Sequence, residues 1–325
     1  MDITAYKVFV SQLENLADDQ VVDVSEKLRL RHNSSTVQKL AAERFSEAGC
    51  CPHCRSSRVA KHGLARGSQR FRCGECRKTF SALTGTPFHR MRNKDKLLEN
   101  AACMSDGLSL KKTAARLGIT VTRAFTWRHK FLSFLNRQKP QALTGMVEAD
   151  ETMFPQSFKG QRSDMPRMSK RHGGPCKDGT GLEKVAVMVV VQRGTRKAYD
   201  HVMADGSTPS LTEALRPALG TDAVLVTDGN AGYLTVAAEL KVKHERFVSS
   251  YHGKGGKGPA HVQSVNRYDS TLKTWMARFR GVASKYLANY LGWRRLLDRF
   301  EDALTPQQFM FHAMRVNYLT PGTNT

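Results

Sequence analysis

The stretch AVLVTDGNAGY (223–233) shows the pattern from which the fold of this chain can be read. An apolar run ends at Asp228, Gly229 permits a turn, and a helical pattern follows near 231–240. A further helix is predicted near 209–219, before this stretch. The remaining strand-like segments are MVEAD (146–150), VAVMVVVQ (185–192), AYDHVM (198–203) and RFVSS (246–250).

This order of segments predicts an α/β domain over residues 145–302. Early strands followed by strand–helix alternation favour a mixed sheet flanked by helices. A ribonuclease H-like core has the same order. The preceding residues, Pro140 to Gly145, are typical of a linker between domains.

Two aspartates close apolar runs of this predicted sheet. Asp150 follows MVEA and Asp228 follows AVLVT, so their side chains are expected to meet at one edge of the sheet. Carboxylates placed this way can bridge two divalent cations about 4 Å apart, which is an arrangement suited to phosphodiester chemistry. Aspartate also favours turns, and Asp228-Gly229 is a turn signal by itself. Each aspartate taken singly is therefore more often structural than catalytic.

A later helical segment adds specificity. Asn266 and Lys273 are seven residues apart and share one helix face. An adjacent apolar stripe would pack this helix on the sheet, and it consists of Val265, Tyr268, Leu272, Trp275 and Phe279. The face with Asn266 and Lys273 is then predicted to look toward the two aspartates.

The charge of the chain indicates its class of partner. Its 51 Lys+Arg against 29 Asp+Glu leave a formal charge of +22, which favours nucleic acid over a merely solvated basic surface. No apolar run approaches the roughly 18 residues of a membrane-spanning helix. Basic, glycine-rich segments at 159–181 and 251–261 are interpreted as DNA-facing loops, with disordered linkers as the alternative.

Residues 1–48 are predicted to be a helical segment. Up to residue 30, acidic residues outnumber basic ones six to three, so this segment is interpreted as a packing or dimerisation element rather than a DNA reader. The start does not have the pattern of a signal peptide. With an odd number of cysteines, this favours a reducing compartment, the cytoplasm.

A zinc ribbon is predicted at residues 49–85. The pairs CPHC (51–54) and CGEC (73–76) are separated by eighteen residues, a spacing typical of a structural Zn²⁺ site with four thiolates. A disulfide framework is the alternative, and Cys50 or His53 could substitute as a ligand. Basic residues around the second pair, Arg72 among them, suggest contact with phosphate.

Residues 90–139 contain a predicted helix-turn-helix. Ser109 and Thr120 can cap two short helices, and Gly118 permits the turn between them. The inward residues are expected to be Ala114, Ala115, Leu117, Ala124, Trp127 and Phe131. Arg123, Thr126 and Lys130 then point outward, where a recognition helix meets DNA. A plain helical hairpin is the alternative.

Three stretches carry a family resemblance: VEADETMF (147–154), VLVTDGNAGY (224–233) and HVQSVNRYDSTLKTWMARFRGVASKYLANYLGWRR (261–295). They resemble the catalytic domain of DDE-type bacterial insertion-sequence transposases, in the group related to the eukaryotic Merlin transposons (ISXO-type). That group is similar in placing a zinc ribbon and a helix-turn-helix ahead of the core. The resemblance covers nearly the whole chain after residue 50.

The resemblance implies a transposase that binds the terminal inverted repeats of its element, cleaves DNA and transfers strands. Asp150, Asp228 and Asn266 correspond to the acidic positions, followed by Lys273. The implied cofactor at this site is Mg²⁺ or Mn²⁺, and the implied partners are double-stranded DNA at element ends and target. A homo-oligomer, at least a dimer, is implied by the need to join two ends. Further contacts with the DNA backbone are expected from Arg267, Arg278 and Arg280.

Glutamate is commoner than asparagine at the third position. An amide oxygen can bind a hard cation but carries no charge, so we expect weaker metal binding. Asp269 could supply the missing charge, ranked behind Asn266 as a ligand. On the strand, Glu148 shares the face of Asp150, and Glu151 is expected to point away.

Other functions remain open at this point. An inactive, domesticated element that only binds DNA would also tolerate a neutral residue at the third position. A structure-selective nuclease would share the core but leave the ribbon and the helix-turn-helix less to do. Residues 303–325 are expected to be a C-terminal tail.

Overall fold

The computed structural model describes residues 2–65, 68–161, 163, 184–247 and 261–315. Most of the two segments interpreted as DNA-facing loops, 159–181 and 251–261, lies outside these ranges, as do residues 316–325. The chain forms two compact units, one of residues 1–134 with 304–325 and one of residues 135–303.

The first unit is mainly helical. Its helices are α1 (Ile3–Gln12), α2 (Asp18–Ala48), α3 (Leu97–Ser105), α4 (Leu110–Leu117), α5 (Val121–Leu135, ending at the boundary) and α10 (Pro306–Met314). The helical start that the sequence predicts is confirmed, and Asp2 caps α1 by accepting a hydrogen bond from the Ala5 amide at 2.8 Å. Helix α1 leaves Ile3, Tyr6 and Val10 exposed.

A small antiparallel sheet lies in the cysteine-rich region. Its strands are β1 (Val59–Ala65), β2 (Ser68–Cys73) and β3 (Thr79–Ser81), in the order β1-β2-β3. Phe45 at the end of α2 packs on this sheet, with ring centroids 4.5 Å from Phe71 and 5.6 Å from Phe80. The buried core of the sheet is little more than Cys51, Cys73 and Phe80. Such a small apolar core cannot stabilise the ribbon alone.

Helices α4 and α5 are joined by a short turn, as the sequence predicts. Ser109 accepts a hydrogen bond from the Lys112 amide at 3.3 Å, and Thr120 accepts one from the Arg123 amide at 3.2 Å. Gly118 adopts φ 58°, a left-handed conformation that glycine tolerates at a helix end.

The expected inward faces of α4 and α5 are confirmed with one exception. The buried residues are Ala114, Leu117, Ala124, Trp127 and Phe131. Ala115 is exposed. Thr113 is buried instead. The buried face of α4 therefore consists of Thr113, Ala114 and Leu117.

The second unit contains a mixed sheet, which confirms the α/β prediction. Its strands are β4 (Leu143–Pro155), β5 (Lys184–Gln192), β6 (Ala198–Val202), β7 (Leu219–Thr227) and β8 (Lys243–Arg246), in the order β6-β5-β4-β7-β8. Strand β4 is antiparallel to β5 and parallel to β7. Strands β5 and β6 are antiparallel, and β7 and β8 are parallel. The helices are α6 (Thr208–Leu215), α7 (Gly232–Leu240), α8 (Gln263–Ala277) and α9 (Leu287–Phe300).

Side chains of the central strand β4 alternate between two environments. Val147 and Ala149 belong to the apolar core that also contains Leu211 of α6 and Val236 of α7. The intervening side chains face the other side of the sheet, toward α8. They are Glu148, Asp150 and Thr152.

Several strand boundaries differ from the predictions. Strand β4 begins at Leu143 rather than at 146, and β7 begins at Leu219 rather than at 223. Asp150 does not end β4, since β4 continues to Pro155 by pairing with β5, while its parallel partner β7 ends at Thr227. The last described strand is Lys243–Arg246, because α7 ends at Leu240 and the chain pairs with β7 at once. The predicted strand 246–250 overlaps it at Arg246, and residues 248–250 lie outside the described ranges.

Among the described helices, none is both long and apolar enough to cross a bilayer.

Candidate active site and zinc site

Asp150 and Asp228 are neighbours across the sheet. In the parallel register Glu148 lies opposite Val226, so two residues later Asp150 is level with Asp228, the first residue after β7. The amide of Glu151 donates to Asp150 Oδ1 at 2.8 Å, and the amide of Asn230 donates to Asp228 Oδ1 at 3.0 Å. The sequence therefore identified a pair of carboxylates that the fold brings together.

The electrostatic environment of Asp150 reflects this pairing. Burial is the main cause that raises the pKa of Asp150, and the negative charge of Asp228 raises it further. The Glu151 amide and the positive charge of Lys273 act in the opposite direction. Lys273 thus lies close enough to act on Asp150, as expected from its place on the helix face.

Asn266 lies in the first turn of α8 and is exposed. Its backbone N–H donates a hydrogen bond to the Val262 carbonyl at 3.1 Å, and this is the first hydrogen bond of the helix. The Asn266 side chain makes no hydrogen bond within the described part of the chain. Its amide oxygen therefore remains available for a ligand.

Asp269, one turn further along α8, is the buried acid of this helix at 7% exposure. Burial and, after it, the charge of Asp150 raise its pKa to about 7, against smaller opposing effects of Lys273 and the nearby Thr152 hydroxyl. Asp269 Oδ1 and Thr152 Oγ1 are both buried and have no partner at hydrogen-bond distance among the described residues. Asp269 is thus coupled to Asp150 although sequence reasoning ranked it behind Asn266.

Glu151 is also close to the pair, although it lies on the opposite side of β4. Its carboxylate accepts a hydrogen bond of 2.5 Å from the Tyr233 hydroxyl. Burial raises the pKa of Glu151, Tyr233 lowers it, and the charges of Asp150 and Asp228 raise it again. Glu151 therefore points away from Asp150, as expected, but the two carboxylates are close enough for their charges to interact.

Glu148 is fully buried, and its carboxylate is taken up by other groups. It receives hydrogen bonds from Arg193 and from the first turn of α8. Both oxygens are used in this way, so Glu148 is not available as a metal ligand.

The oxygen donors at this edge suit hard divalent cations. Carboxylates and an amide oxygen are the ligands that Mg²⁺ and Mn²⁺ prefer, and a cation would relieve the repulsion that helps to raise the pKa values of Asp150 and Asp269. The donors are Asp150, Asp228, Asp269 and Asn266. In the described ranges, only the four cysteines of the ribbon bring three or more His, Cys, Asp or Glu ligand atoms within 4.8 Å of one another. The carboxylates are therefore more widely spread than a preformed metal cage.

The ribbon brings its four predicted cysteines together. The Sγ atoms of Cys51 and Cys76 are 3.7 Å apart, and those of Cys54 and Cys73 are 3.5 Å apart. A tetrahedral Zn²⁺ with Zn–S bonds of about 2.3 Å requires Sγ separations of about 3.8 Å. All four thiols are free, so the disulfide alternative is not realised. The cluster could hold zinc without rearrangement.

The thiols of the ribbon differ in acidity. Burial raises the pKa of Cys51 to about 12. Burial also acts to raise the pKa of Cys73, but hydrogen bonds from the Cys76 and Glu75 amides lower it to about 6. A cation bound by the four thiolates would displace the remaining protons.

The residues expected to contact DNA are spread over both units. Arg72 is exposed on β2 and lines an open groove of about 480 Å³ with Arg58 and Arg77. Arg123 is exposed on α5, and Lys130 is half-buried. In the second unit Arg267, Arg278 and Arg280 are exposed, and Arg278 lies over the Trp275 ring at 5.8 Å.

Comparison with known proteins decides the family. Residues 142–294, which contain β4 to most of α9 and all four proposed catalytic residues, match the ISXO2-like transposase domain.

The chain contains a DDE-type insertion-sequence transposase domain.

A curated relative of the transposase is similar over most of both chains. It is an uncharacterized protein in transposable element ISH50 of Halobacterium salinarum, 28% identical over 257 residues, which are 78% of this chain and 86% of the relative. This similarity extends beyond the matched domain into the N-terminal part.

Solved structures are more distant. A chain of the simian T-cell lymphotropic virus intasome in complex with PP2A regulatory subunit B56 gamma is 12% identical, with 70% of the transposase and 78% of that chain covered and a TM-score of 0.31. A chain of a pre-cleavage Mos1 transpososome is 12% identical, with 65% and 78% covered and a TM-score of 0.24. These scores are too low to support an argument from fold.

Substituting Cys73→Ser should abolish zinc binding by the transposase and loosen the ribbon, because three thiolates remain and the apolar core is small. Metal analysis of the purified protein should fall from about one zinc per chain to a small fraction of that. Limited proteolysis should then cut within residues 49–85. Cys50→Ser is the matched control and should keep its zinc, since Cys50 lies outside the cluster. Full zinc content in Cys73→Ser would contradict the assignment.

The stability of the transposase, measured without added divalent cations, should fall as pH rises from about 4 to about 7. Asp269 in the unfolded chain titrates near its ordinary pKa of 3.8, whereas in the folded protein the pKa is about 7. Between these values the unfolded chain binds fewer protons, so rising pH favours unfolding, by an amount on the order of a few kcal/mol. Asp269→Asn should reduce this slope in urea unfolding at pH 5 and pH 8. The exposed control Asp222→Asn should leave it unchanged, and equal slopes in wild type and Asp269→Asn would contradict the prediction.

Proposed function

We propose that this transposase cleaves DNA at the ends of its element and joins the liberated 3′ ends to target DNA. The observation that carries the proposal is that Asp150 on β4 lies level with Asp228, the first residue after the parallel strand β7, and that Lys273 acts on Asp150. Such a pair of carboxylates next to a lysine is suited to phosphodiester chemistry. The relative in a transposable element supports the same biological context.

The arrangement of the second unit supports a ribonuclease H-like core. The order β6-β5-β4-β7-β8 contains three antiparallel-linked strands followed by two parallel ones, as in that fold. In such a sheet the site lies where β4 and β7 carry their polar residues side by side. We assign residues 145–302 to this core, 49–85 to a zinc ribbon and 90–139 to a helix-turn-helix region. Residues 1–48 form the helical segment. Residues 303–325, expected to be a tail, include the helix α10, which buries Phe309 and Met310 in the first unit.

The proposed ligands at the active site are Asp150, Asp228 and Asn266, with Asp269 as a fourth oxygen donor. When bound, two Mg²⁺ or Mn²⁺ ions would activate the attacking oxygen and stabilise the leaving oxygen of each in-line displacement. Asn266 contributes a neutral oxygen only. Asp269 supplies the negative charge that a glutamate at position 266 would bring, from one turn further along α8.

Other residues position the DNA. Lys273 is placed to hold a phosphate oxygen next to the carboxylates, since its charge already acts on Asp150. The exposed arginines of the same region, Arg267, Arg278 and Arg280, extend this positive surface. They would contact the DNA backbone without reading its sequence.

Recognition of the element ends is assigned to the first unit. We assign the contacts that a recognition helix makes with DNA to the exposed Arg123 in the first turn of α5 and to the half-buried Lys130 further along it. The ribbon, held by structural Zn²⁺, adds phosphate contacts through Arg72. The charge of +22 supports a double-stranded DNA partner. Joining two ends requires a homo-oligomer, at least a dimer, in the active complex.

A second candidate function follows from Asn266. Because the third position is neutral and exposed, a protein that binds element ends as a regulator without cutting them is consistent with the same DNA-binding unit. The two functions differ in whether DNA is joined.

Strand transfer should depend on both aspartates. Purified protein with zinc retained, Mg²⁺ or Mn²⁺, labelled element ends and a supercoiled target should yield joined product. Asp150→Asn and Asp228→Asn should each lower the rate by about 10²–10³-fold or more, because each removes a negative ligand for the cations that would stabilise the transition state. Asp222→Asn, which removes an exposed charge from β7, should be as active as wild type. End binding without any joined product in wild type would instead support the regulator.

End recognition should depend on Arg123. If this side chain reaches a base edge, Arg123→Ala should weaken binding to the element end by roughly 5- to 150-fold and reduce the preference over random DNA. Lys39→Ala removes the same charge from the exposed face of α2 and serves as control. Fluorescence anisotropy at fixed salt measures both. Equal losses on element-end and random DNA would show that Arg123 contacts phosphate only.

A further inference from the structure

Helix α8, which carries Asn266, Asp269 and Lys273, begins without a cap of its own. The residue at its N-cap position is Val262, which has no side-chain acceptor for the free amides of the first turn. Buried amides without acceptors would be costly. The helix must therefore obtain its acceptors from elsewhere in the fold.

Glu148 of β4 supplies them. Its Oε2 accepts hydrogen bonds from the Ser264 amide at 2.6 Å and the Val265 amide at 3.0 Å. Its Oε1 accepts a bond from the Ser264 hydroxyl at 2.9 Å. A carboxylate at this end of a helix is also favoured by the helix dipole. Glu148 is thus the cap of α8, although 116 residues separate it from Ser264.

Arg193 and His261 complete the environment of this buried carboxylate. Arg193 Nε donates to Glu148 Oε1 at 2.8 Å, and a terminal nitrogen of the same guanidinium donates to the His261 carbonyl at 2.8 Å. His261 Nδ1 lies 3.3 Å from Glu148 Oε1. Because Glu148 is 0% exposed, these partners are needed to offset the cost of burying its charge. Arg193 also holds His261, two residues before the start of α8, through its carbonyl.

The cap lies beside the proposed metal ligands on both elements. Val265, whose amide it binds, directly precedes Asn266, and Glu148 is two residues, or about 7 Å, from Asp150 on the same strand. Sliding or rotating α8 on the sheet would break these hydrogen bonds. The contact therefore determines where Asn266 and Asp269 stand relative to Asp150.

We propose that Glu148 is a positioning residue that holds α8 in register on β4 and so sets the geometry of the metal ligands. This rests on the proposed function of the site. A purely structural role would resemble that of the buried Asp200–Arg295 ion pair, which fastens α9 to β6. In the described part of the chain, neither residue accepts a hydrogen bond from the amides that begin α8. Asp200→Asn is therefore the matched control for loss of a buried charge.

The cap itself can be tested without DNA or divalent cations. In Glu148→Ala and Glu148→Gln, amides of peptides covering 262–268 should exchange hydrogen at least about tenfold faster than in wild type, as expected when a helix start loses its acceptor. Peptides covering β7 should exchange as in wild type. In Asp200→Asn, residues 262–268 should remain protected. Wild-type protection of this segment in Glu148→Ala, in a folded protein, would overturn the proposal.

The positioning role is tested by Mn²⁺ affinity of the transposase bound to end DNA, measured by electron paramagnetic resonance. Glu148→Gln should weaken binding by about 10- to 100-fold, the usual effect of losing a group that orients metal ligands. Asp200→Asn should bind Mn²⁺ as wild type does. On an Asn266→Ala, Asp269→Asn background, Glu148→Gln should have little further effect, because the residues that it positions no longer bind metal.

The results of these experiments distinguish the positioning role of Glu148 from the proposed active site. Unchanged Mn²⁺ affinity in Glu148→Gln, or an additive loss on the Asn266→Ala, Asp269→Asn background, would overturn the positioning role. Equal affinity in wild type and Asp150→Asn would remove the proposed active site, and the positioning role with it. In that case faster exchange in Glu148→Ala would still identify Glu148 as the cap of α8.

Discussion

The alternation of side chains along β4 is the constraint on which the second unit depends. One face of this central strand must be apolar, because Val147 and Ala149 belong to the core shared with α6 and α7. The other face can then carry polar groups only where a helix satisfies them. Helix α8 does so: Glu148 meets its amides, and Asp150 lies near its charged side chains. Sheet packing and site assembly are thus two results of one alternation.

The collected carboxylates oppose the stability of the fold in the absence of a cation. Burial and mutual repulsion raise the pKa of Asp150, Glu151 and Asp269 together. Lys273 offsets only part of this. Sites that accumulate charge of one sign at a cost are often functional, since a ligand of opposite charge recovers the energy. The exposed Asn266 adds no charge to this group, whereas the buried Asp269 adds one when it ionises.

The ribbon of the first unit is stabilised in a different way. Its ribbon has too little apolar area to fold by burial, so four thiolates around a metal would take the place of a core. Phe45 then joins the ribbon to the long helix α2 through Phe71 and Phe80. The two candidate metal sites differ in how closely their ligand atoms lie. In the described part of the chain the four cysteines are already clustered, whereas the carboxylates are not.

Local sequence patterns determined much of the fold of this transposase. The cysteine spacing, the caps at Ser109 and Thr120, and the apolar runs around Asp150 and Asp228 were sufficient to predict the ribbon, the paired helices, the mixed sheet and the acidic pair. These features depend on neighbours in sequence, or on the shared edge of adjacent strands, so their periodicity reveals them. The ends of β4 and β8 were misjudged because strand length is set by the pairing partner, and the partner is distant in sequence.

Only the tertiary structure decided what each acid does. Glu148, Asp150 and Glu151 are nearly adjacent in sequence and look alike there. In the fold one caps a helix 116 residues away, one pairs with Asp228, and one accepts a hydrogen bond from Tyr233. Their roles differ because burial and distant partners, rather than residue type, determine whether a carboxylate is neutralised, exposed to a cation or used as a cap.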